Sequence, residues 1–104
     1  MKYYAVAQID ITDPSWVRAY VKHATELVER HGGRYLARTS NVERIEGQGA
    51  LRQIYLIIEW PSKEVAQAFY ASEAYRPYLE SRREGSTGEL MLVAGEDING
   101  VARI

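Results

Sequence analysis

Tyr3-Tyr4-Ala5-Val6-Ala7-Gln8-Ile9-Asp10-Ile11, running straight into Thr12-Asp13-Pro14, decides the fold class. Tyr3, Ala5, Ala7, Ile9 and Ile11 fall on one side of a period-two pattern, and Tyr4, Val6, Gln8 and Asp10 on the other. That is a strand, and apolar residues on both sides suit an inner place in a sheet. Asp13 can then cap the free N–H groups of a helix whose first turn tolerates Pro14. The period changes at once. Val17, Tyr20, Val21, Ala24, Leu27, Val28 and His31 make one helical stripe, with Arg18, Lys22, Glu26, Glu29 and Arg30 off it. Gly32-Gly33 ends the helix.

Arg34 to Thr39 reads as a second strand and Leu51 to Trp60 as a third. Ile54-Tyr55-Leu56-Ile57-Ile58 is apolar on both sides and therefore central. Pro61 stops it, and Ser62 caps a second helix from Lys63 to about Ser72, with Val65, Ala66, Phe69 and Tyr70 facing inward. A shorter helical piece covers Glu73 to Arg83, broken or restarted near Pro77. Gly85 to Gly88 reads as a turn and Leu90 to Ala94 as the fourth strand. The tail from Gly95 to Ile104 fits either a short edge strand or an arm lying on a partner.

The order β-α-β-β-α-β predicts an α+β, ferredoxin-like domain: a four-stranded antiparallel sheet with its helices on one face. With 104 residues, the chain is expected to form one domain with a core over 2–96 and a tail over 97–104. Several strands are apolar on both sides, so the uncovered face would be a large apolar patch. The expectation is a homodimer that covers it by packing sheet on sheet.

Composition narrows the function classes. Thirteen Lys and Arg against fourteen Asp and Glu give a net charge of −1, without the basic footprint of a nucleic-acid binder. The absence of cysteine removes disulfides, thiolate metal sites and a thiol nucleophile. No apolar run approaches the roughly 20 residues that span a bilayer. Met1-Lys2-Tyr3-Tyr4 lacks a signal-peptide pattern, which reads as a cytoplasmic protein. His23 and His31 are the only histidines. Eight helical residues hold them about 12 Å apart, so they do not share a metal within one subunit. Gly47-Gln48-Gly49 has no following Lys and helix and is not a phosphate loop. No bound cofactor or metal is expected.

Together, Tyr4 to Pro14, His31-Gly32-Gly33-Arg34-Tyr35-Leu36-Ala37-Arg38, Ile57-Ile58-Glu59-Trp60-Pro61-Ser62 and Ser72-Glu73-Ala74-Tyr75 with Arg82 resemble the domain-of-unknown-function family 1330. That family lies in the dimeric α+β barrel superfamily. Its members usually carry Phe where this chain has Trp60. The resemblance implies a ferredoxin-like subunit and a homodimer, with no established reaction. Elsewhere the superfamily includes cofactor-free monooxygenases, muconolactone isomerase-like enzymes and haem-binding enzymes, and fold does not choose among them.

The candidate site residues each carry a plain alternative. His31, in the last turn of the first helix, suits a helix-dipole partner or a general base at a pocket mouth. Arg34 and Arg38 share a side with Leu36 by alternation, and Glu59 at the end of the central strand is the expected partner of Arg38. That pair is either a structural ion pair or an anion-binding arginine with its positioning carboxylate. Tyr20 and Tyr75 carry phenols that need partners when buried. Arg82 is the arginine of its pair expected to turn into a cleft, on family grounds.

The leading expectation is a small-molecule pocket between sheet and helices, with His31 and Glu59 catalytic and Arg38, Tyr20, Tyr75 and Arg82 binding substrate. It would act by acid–base chemistry on a small anionic or aromatic compound. A non-catalytic binding or stress-response module is the alternative, and nucleic-acid binding through sheet aromatics is the weakest.

Overall fold

The computed structural model describes residues 1–100. Its strands are β1 (Tyr3–Ile11), β2 (Arg34–Thr39), β3 (Ile54–Trp60) and β4 (Ser86–Ala94). Its α-helices are α1 (Val17–Arg30), α2 (Lys63–Tyr70) and α3 (Arg76–Glu84). The strands form one antiparallel sheet in the order β2-β3-β1-β4, so the two strands that are apolar on both sides are the two inner ones. This is the ferredoxin-like α+β plan.

The element ends follow local chemistry. Asp13 Oδ1 accepts from the Ser15 N–H at 2.9 Å, and Pro14–Trp16 form a short 3-10 turn before α1 begins. Ser62 Oγ caps α2 by accepting from Val65 N–H. Gly32, at φ 92°, takes the left-handed backbone that closes α1. Pro77 starts α3 rather than breaking a helix, and the chain from Ala71 to Tyr75 is a turn tied by Ser72.

Two expected boundaries move. Residues 51–53 leave the third strand because their polar groups bind the end of β1 through side chains. Gln53 N–H donates to Asp10 Oδ1 at 2.9 Å, Gln53 Oε1 accepts from Ile11 N–H at 2.6 Å, and Arg52 pairs with Asp10 at 2.8 Å. The expected turn at 85–88 is instead the start of β4, which pairs along the whole of β1. Gly88 makes this possible: at φ 149° it lies against the Gln8 carbonyl, where a β-carbon would collide. The tail joins β1 through Gly95 N–H to the Lys2 carbonyl at 2.9 Å and then turns at 97–100. The expectation for the last four residues, 101–104, lies outside the described residues.

A register shift in β2 matters most for function. Tyr35 pairs with Ile58, but Ala37, not Leu36, pairs with Ile57. Leu36 is the extra residue of a bulge. The bulge puts Tyr35 and Arg38 on the helix-covered face, opposite Ile58 and Leu56, and leaves Arg34 on the open face opposite Glu59. Arg34 and Arg38 therefore do not share a side, as simple alternation predicts.

The core sits between the helices and one sheet face. Ala24, Leu27 and Val28 of α1 and Ala66 and Phe69 of α2 pack with Ala5, Ile58, Trp60 and Tyr75. Trp60 is 2% exposed and stacks at 5.2 Å on Phe69, which meets Tyr75 at 4.3 Å. Each aromatic pair adds about 0.5–1.5 kcal/mol beyond area burial. The larger Trp60 ring is accommodated by Gly33, where any β-carbon would press within 2.9 Å of the indole and 2.7 Å of Val28.

The open face carries Tyr4, Val6, Ile57, Met91 and Val93 in adjacent rows. Ile57 is 37% exposed, and Met91 and Val93 are each 47% exposed.

Candidate functional site

A cavity of about 590 Å³ lies between the helices and the covered sheet face. Its cause is readable in β1. Ala5 and Ala7 present only methyl groups at the centre of the sheet, between Ile58 and Leu56 on β3 and Leu92 and Leu90 on β4. The helices rest on larger side chains around them, and the volume above the alanines stays unfilled. The walls are aromatic: Tyr20 from α1, Tyr35 from β2, Phe69 and Tyr70 from α2, and Tyr75 ahead of α3. Leu90 and Leu92, each 39% exposed, border it along β4.

One end of this apolar chamber is polar. The hydroxyls of Tyr20 and Tyr75 lie 2.5 Å apart and share one hydrogen bond. That bond uses one of two phenol protons, so one O–H stays free to donate. The Arg82 guanidinium carbon lies 5.9 Å from the Tyr20 ring centroid. Burial pushes the Tyr20 phenol above the ordinary tyrosine range, outweighing the pull of the Arg82 charge. Burial, with the nearby Tyr20, pushes Tyr75 higher still. Both phenols therefore stay protonated at neutral pH and act as donors.

Arg82 is half-buried and always charged. Among the described residues the ion pairs are Lys2–Glu59, Arg34–Glu59 and Arg52–Asp10, and Arg82 belongs to none of them. Arg82 is thus a cation beside an apolar chamber with no carboxylate paired to it.

Of the residues singled out in the sequence, the structure brings Tyr20, Tyr75 and Arg82 together at the cavity. It places the other three elsewhere. His31 is the C-cap of α1, its Nδ1–H donating to the Leu27 carbonyl at 2.8 Å, and its ring meets Phe69 edge-on at 5.6 Å from outside the lining. Glu59 lies on the open face, 2.7 Å from Lys2 Nζ and 3.1 Å from Arg34. The hydrogen bond from Lys2 holds its carboxyl below the usual glutamate range.

Arg38 does not pair with Glu59. The β2 bulge turns it to the opposite sheet face, where it donates to Thr25 Oγ1 at 2.9 Å and lies 4.1 Å from the Tyr35 ring centroid. Neither Arg38 nor Glu59 lines the cavity, whose floor is Ala5 and Ala7.

Residues 2–96 match the model of a family described as a domain of unknown function, DUF1330. The chain belongs to that family. No curated protein matches the sequence. Among solved structures, a protein of unknown function from Rhodopseudomonas palustris is similar to this DUF1330 chain with a TM-score of 0.71 and 16% identity, over 88% of this chain and 80% of that one. SnoaB, a cofactor-independent oxygenase from Streptomyces nogalater, is similar with a TM-score of 0.65 and 17% identity, over 92% and 94%. A protein of unknown function from Bacteroides thetaiotaomicron, described as a possible oxidoreductase, follows at a TM-score of 0.53 and 15% identity, over 88% and 94%. At these identities the likeness establishes the fold alone, the ferredoxin-like α+β plan described above.

Sequence reasoning did not single out Tyr35, Tyr70 or Gln67 in the DUF1330 chain, and all three line the cavity. Tyr35 and Tyr70 were readable only as packing aromatics. Gln67 lies off the apolar stripe of α2 and gives no signal. Among the described residues no three of His, Cys, Asp and Glu come together as a metal site requires, and no helix is long and apolar enough to cross a membrane.

Proposed function

We propose that the chain is a homodimer whose cavity takes a small, flat aromatic compound as its oxyanion and activates it without a bound cofactor. Arg82 in its uncompensated state is the observation that carries this reading. The aromatic walls fit a ring system, and the polar end offers one charge and one free O–H to a single ligand oxygen. Holding an oxygen as its anion lowers the pKa of that group, and the resulting electron-rich anion is the reactive form in cofactor-free chemistry. It can be protonated at carbon, an isomerisation, or give electrons to dioxygen. The likeness to a cofactor-independent oxygenase favours the second use.

A non-catalytic binding role has one observation in its favour. Among the described residues the cavity lining contains no carboxylate and no imidazole, so no side chain there ionises near neutral pH to carry a proton. Titration with 1-naphthol, followed by tryptophan fluorescence through Trp60 at the cavity wall, tests the site itself. Saturable quenching with one ligand per chain is expected, and its absence contradicts the reading. Oxygen uptake with the bound naphthol then separates an oxygenase from a binding module.

The dimer rests on the exposed Ile57, Met91 and Val93 of the open sheet face, which a second copy would cover. Sedimentation should give twice the 11.9 kDa chain mass at micromolar protein, and a mass equal to one chain contradicts it.

A further inference from the structure

A second recess of about 520 Å³ adjoins the apolar cavity. Ile9, Tyr70, Arg82 and Leu90 line both, so the two spaces meet along one wall, and Arg82 stands at their boundary. The recess has the opposite chemistry. It adds Arg83, Ser86, Thr87 and Glu89, and the apolar walls are confined to the shared side.

Its form follows from how α3 joins β4. Arg82 and Arg83 occupy the last turn of α3, and after Gly85 the chain enters β4 directly. The Ser86 hydroxyl donates to the Arg82 carbonyl, which fixes that corner. Gly88 keeps β4 paired with β1 through this region, and Thr87 and Glu89, alternating with Gly88 and Leu90, belong to the open-face register and border the recess along the edge strand. Arg82 and Arg83 are then the charged side chains on the helix side of the recess, which suits an anionic group.

We infer that the cavity and the recess together bind one bipartite molecule: an aromatic compound carrying a hydroxyl and a carboxylate close together on the same ring. This rests on the reading that the apolar cavity takes an aromatic oxyanion. The remaining rings fill the chamber over Ala5 and Ala7. The hydroxyl oxygen meets Arg82 and the free phenol O–H of the Tyr20–Tyr75 pair. The carboxylate lies in the recess between Arg82 and Arg83. A carboxylate at the far end of the ring system would instead be driven into the alanine-floored chamber, away from both arginines and among aromatic rings, at a large desolvation cost.

Fluorescence titration with three probes tests this: 1-naphthol, 4-hydroxy-2-naphthoate with both groups on one ring, and 6-hydroxy-2-naphthoate with the groups at opposite ends. A charge-assisted contact at Arg83 makes 4-hydroxy-2-naphthoate bind about tenfold more tightly than 1-naphthol. The 6-hydroxy isomer gains nothing. In Arg83→Gln the tenfold advantage disappears while 1-naphthol binds as before, which also shows that the variant is folded. Binding of 1-naphthol with no gain from the same-ring carboxylate, or a gain that persists in Arg83→Gln, overturns this inference alone. Failure of all three probes to bind overturns it together with the reading beneath it.

Discussion

Two polar clusters of this molecule use arginine in opposite ways. On the open sheet face, Glu59 lies between Lys2 and Arg34, whose side chains are 54% and 72% exposed. In the cavity, Arg82 sits with two protonated phenols and no carboxylate. The first cluster holds two exposed cations against one carboxylate, and water and salt screen them, so it contributes little. The second is a cation among aromatic rings with no paired carboxylate, so an incoming anion would complete it. Charge alone does not mark a site, since the exposed cluster has more of it. A charge left without its counterpart, where water is scarce, does.

Breaking the cavity cluster at Arg82 should give the largest effect. In Arg82→Met the affinity for a phenolate is expected to fall about 10–100-fold, the loss of a hydrogen bond to a charged group. The melting temperature should hold or rise, because the substitution removes an unpaired, half-buried charge and keeps the apolar stem. Tighter or unchanged binding in isothermal titration would erase the distinction between the clusters.

Removing one phenol of the pair comes next. Tyr20→Phe leaves the Tyr75 O–H to donate but takes away the hydroxyl that positions it, so phenolate binding should weaken about 2–10-fold, while the binding of an uncharged arene of the same size stays unchanged. Paired titrations with the two ligands read this directly.

The two clusters should also part in their pH dependence. Burial raises the phenols Tyr20 and Tyr75, and Arg82 stays charged, so no cavity group changes protonation between pH 6 and 9. Affinity for a phenol should therefore rise with pH until the ligand itself ionises and then stay level to pH 9. Glu59 behaves otherwise. Its folded-state pKa is depressed, so its contribution to stability is present above the ordinary carboxylate range near pH 4 and is lost as the pH falls through the depressed value. Thermal melts from pH 7 down to pH 3 follow this loss.

The smallest effect belongs to Glu59→Gln. It should leave ligand affinity unchanged and lower the melting temperature slightly, an effect that high salt removes. A loss of binding comparable to that of Arg82→Met would show that the open-face cluster takes part in the site.

Much of the fold was legible because periods of two and 3.6 report directly which face of an element is apolar. Tyr3–Ile11, the Val17-to-Val28 stripe and the Ile54–Ile58 centre of the third strand each read correctly for that reason, although that strand begins three residues later than expected. What period does not report is an inserted residue. Leu36 bulges out of β2 with no glycine or proline to announce it, and this one shift separates Arg34 from Arg38 and dissolves the expected Arg38–Glu59 pair. Gly88 misled in the other direction, since a glycine that permits close strand pairing looks in sequence like one that makes a turn.

The cavity was legible in part. Tyr20 and Tyr75 stood out as phenols needing partners, and they are each other's. Ala5 and Ala7 read as ordinary strand residues, because a void depends on what three other elements fail to fill. His31 drew notice on the apolar stripe, and its ring is occupied by the helix end.

The central claim is that Arg82 makes the cavity select an anion, and the visible absorbance of bound 4-nitrophenol tests it most directly. The solution should be buffered one unit below the probe's own ionisation. Saturating protein is expected to bring up the yellow phenolate band, and Arg82→Met should not. A probe that binds with its neutral phenol spectrum unchanged, or a phenolate band equally strong in Arg82→Met, contradicts the account.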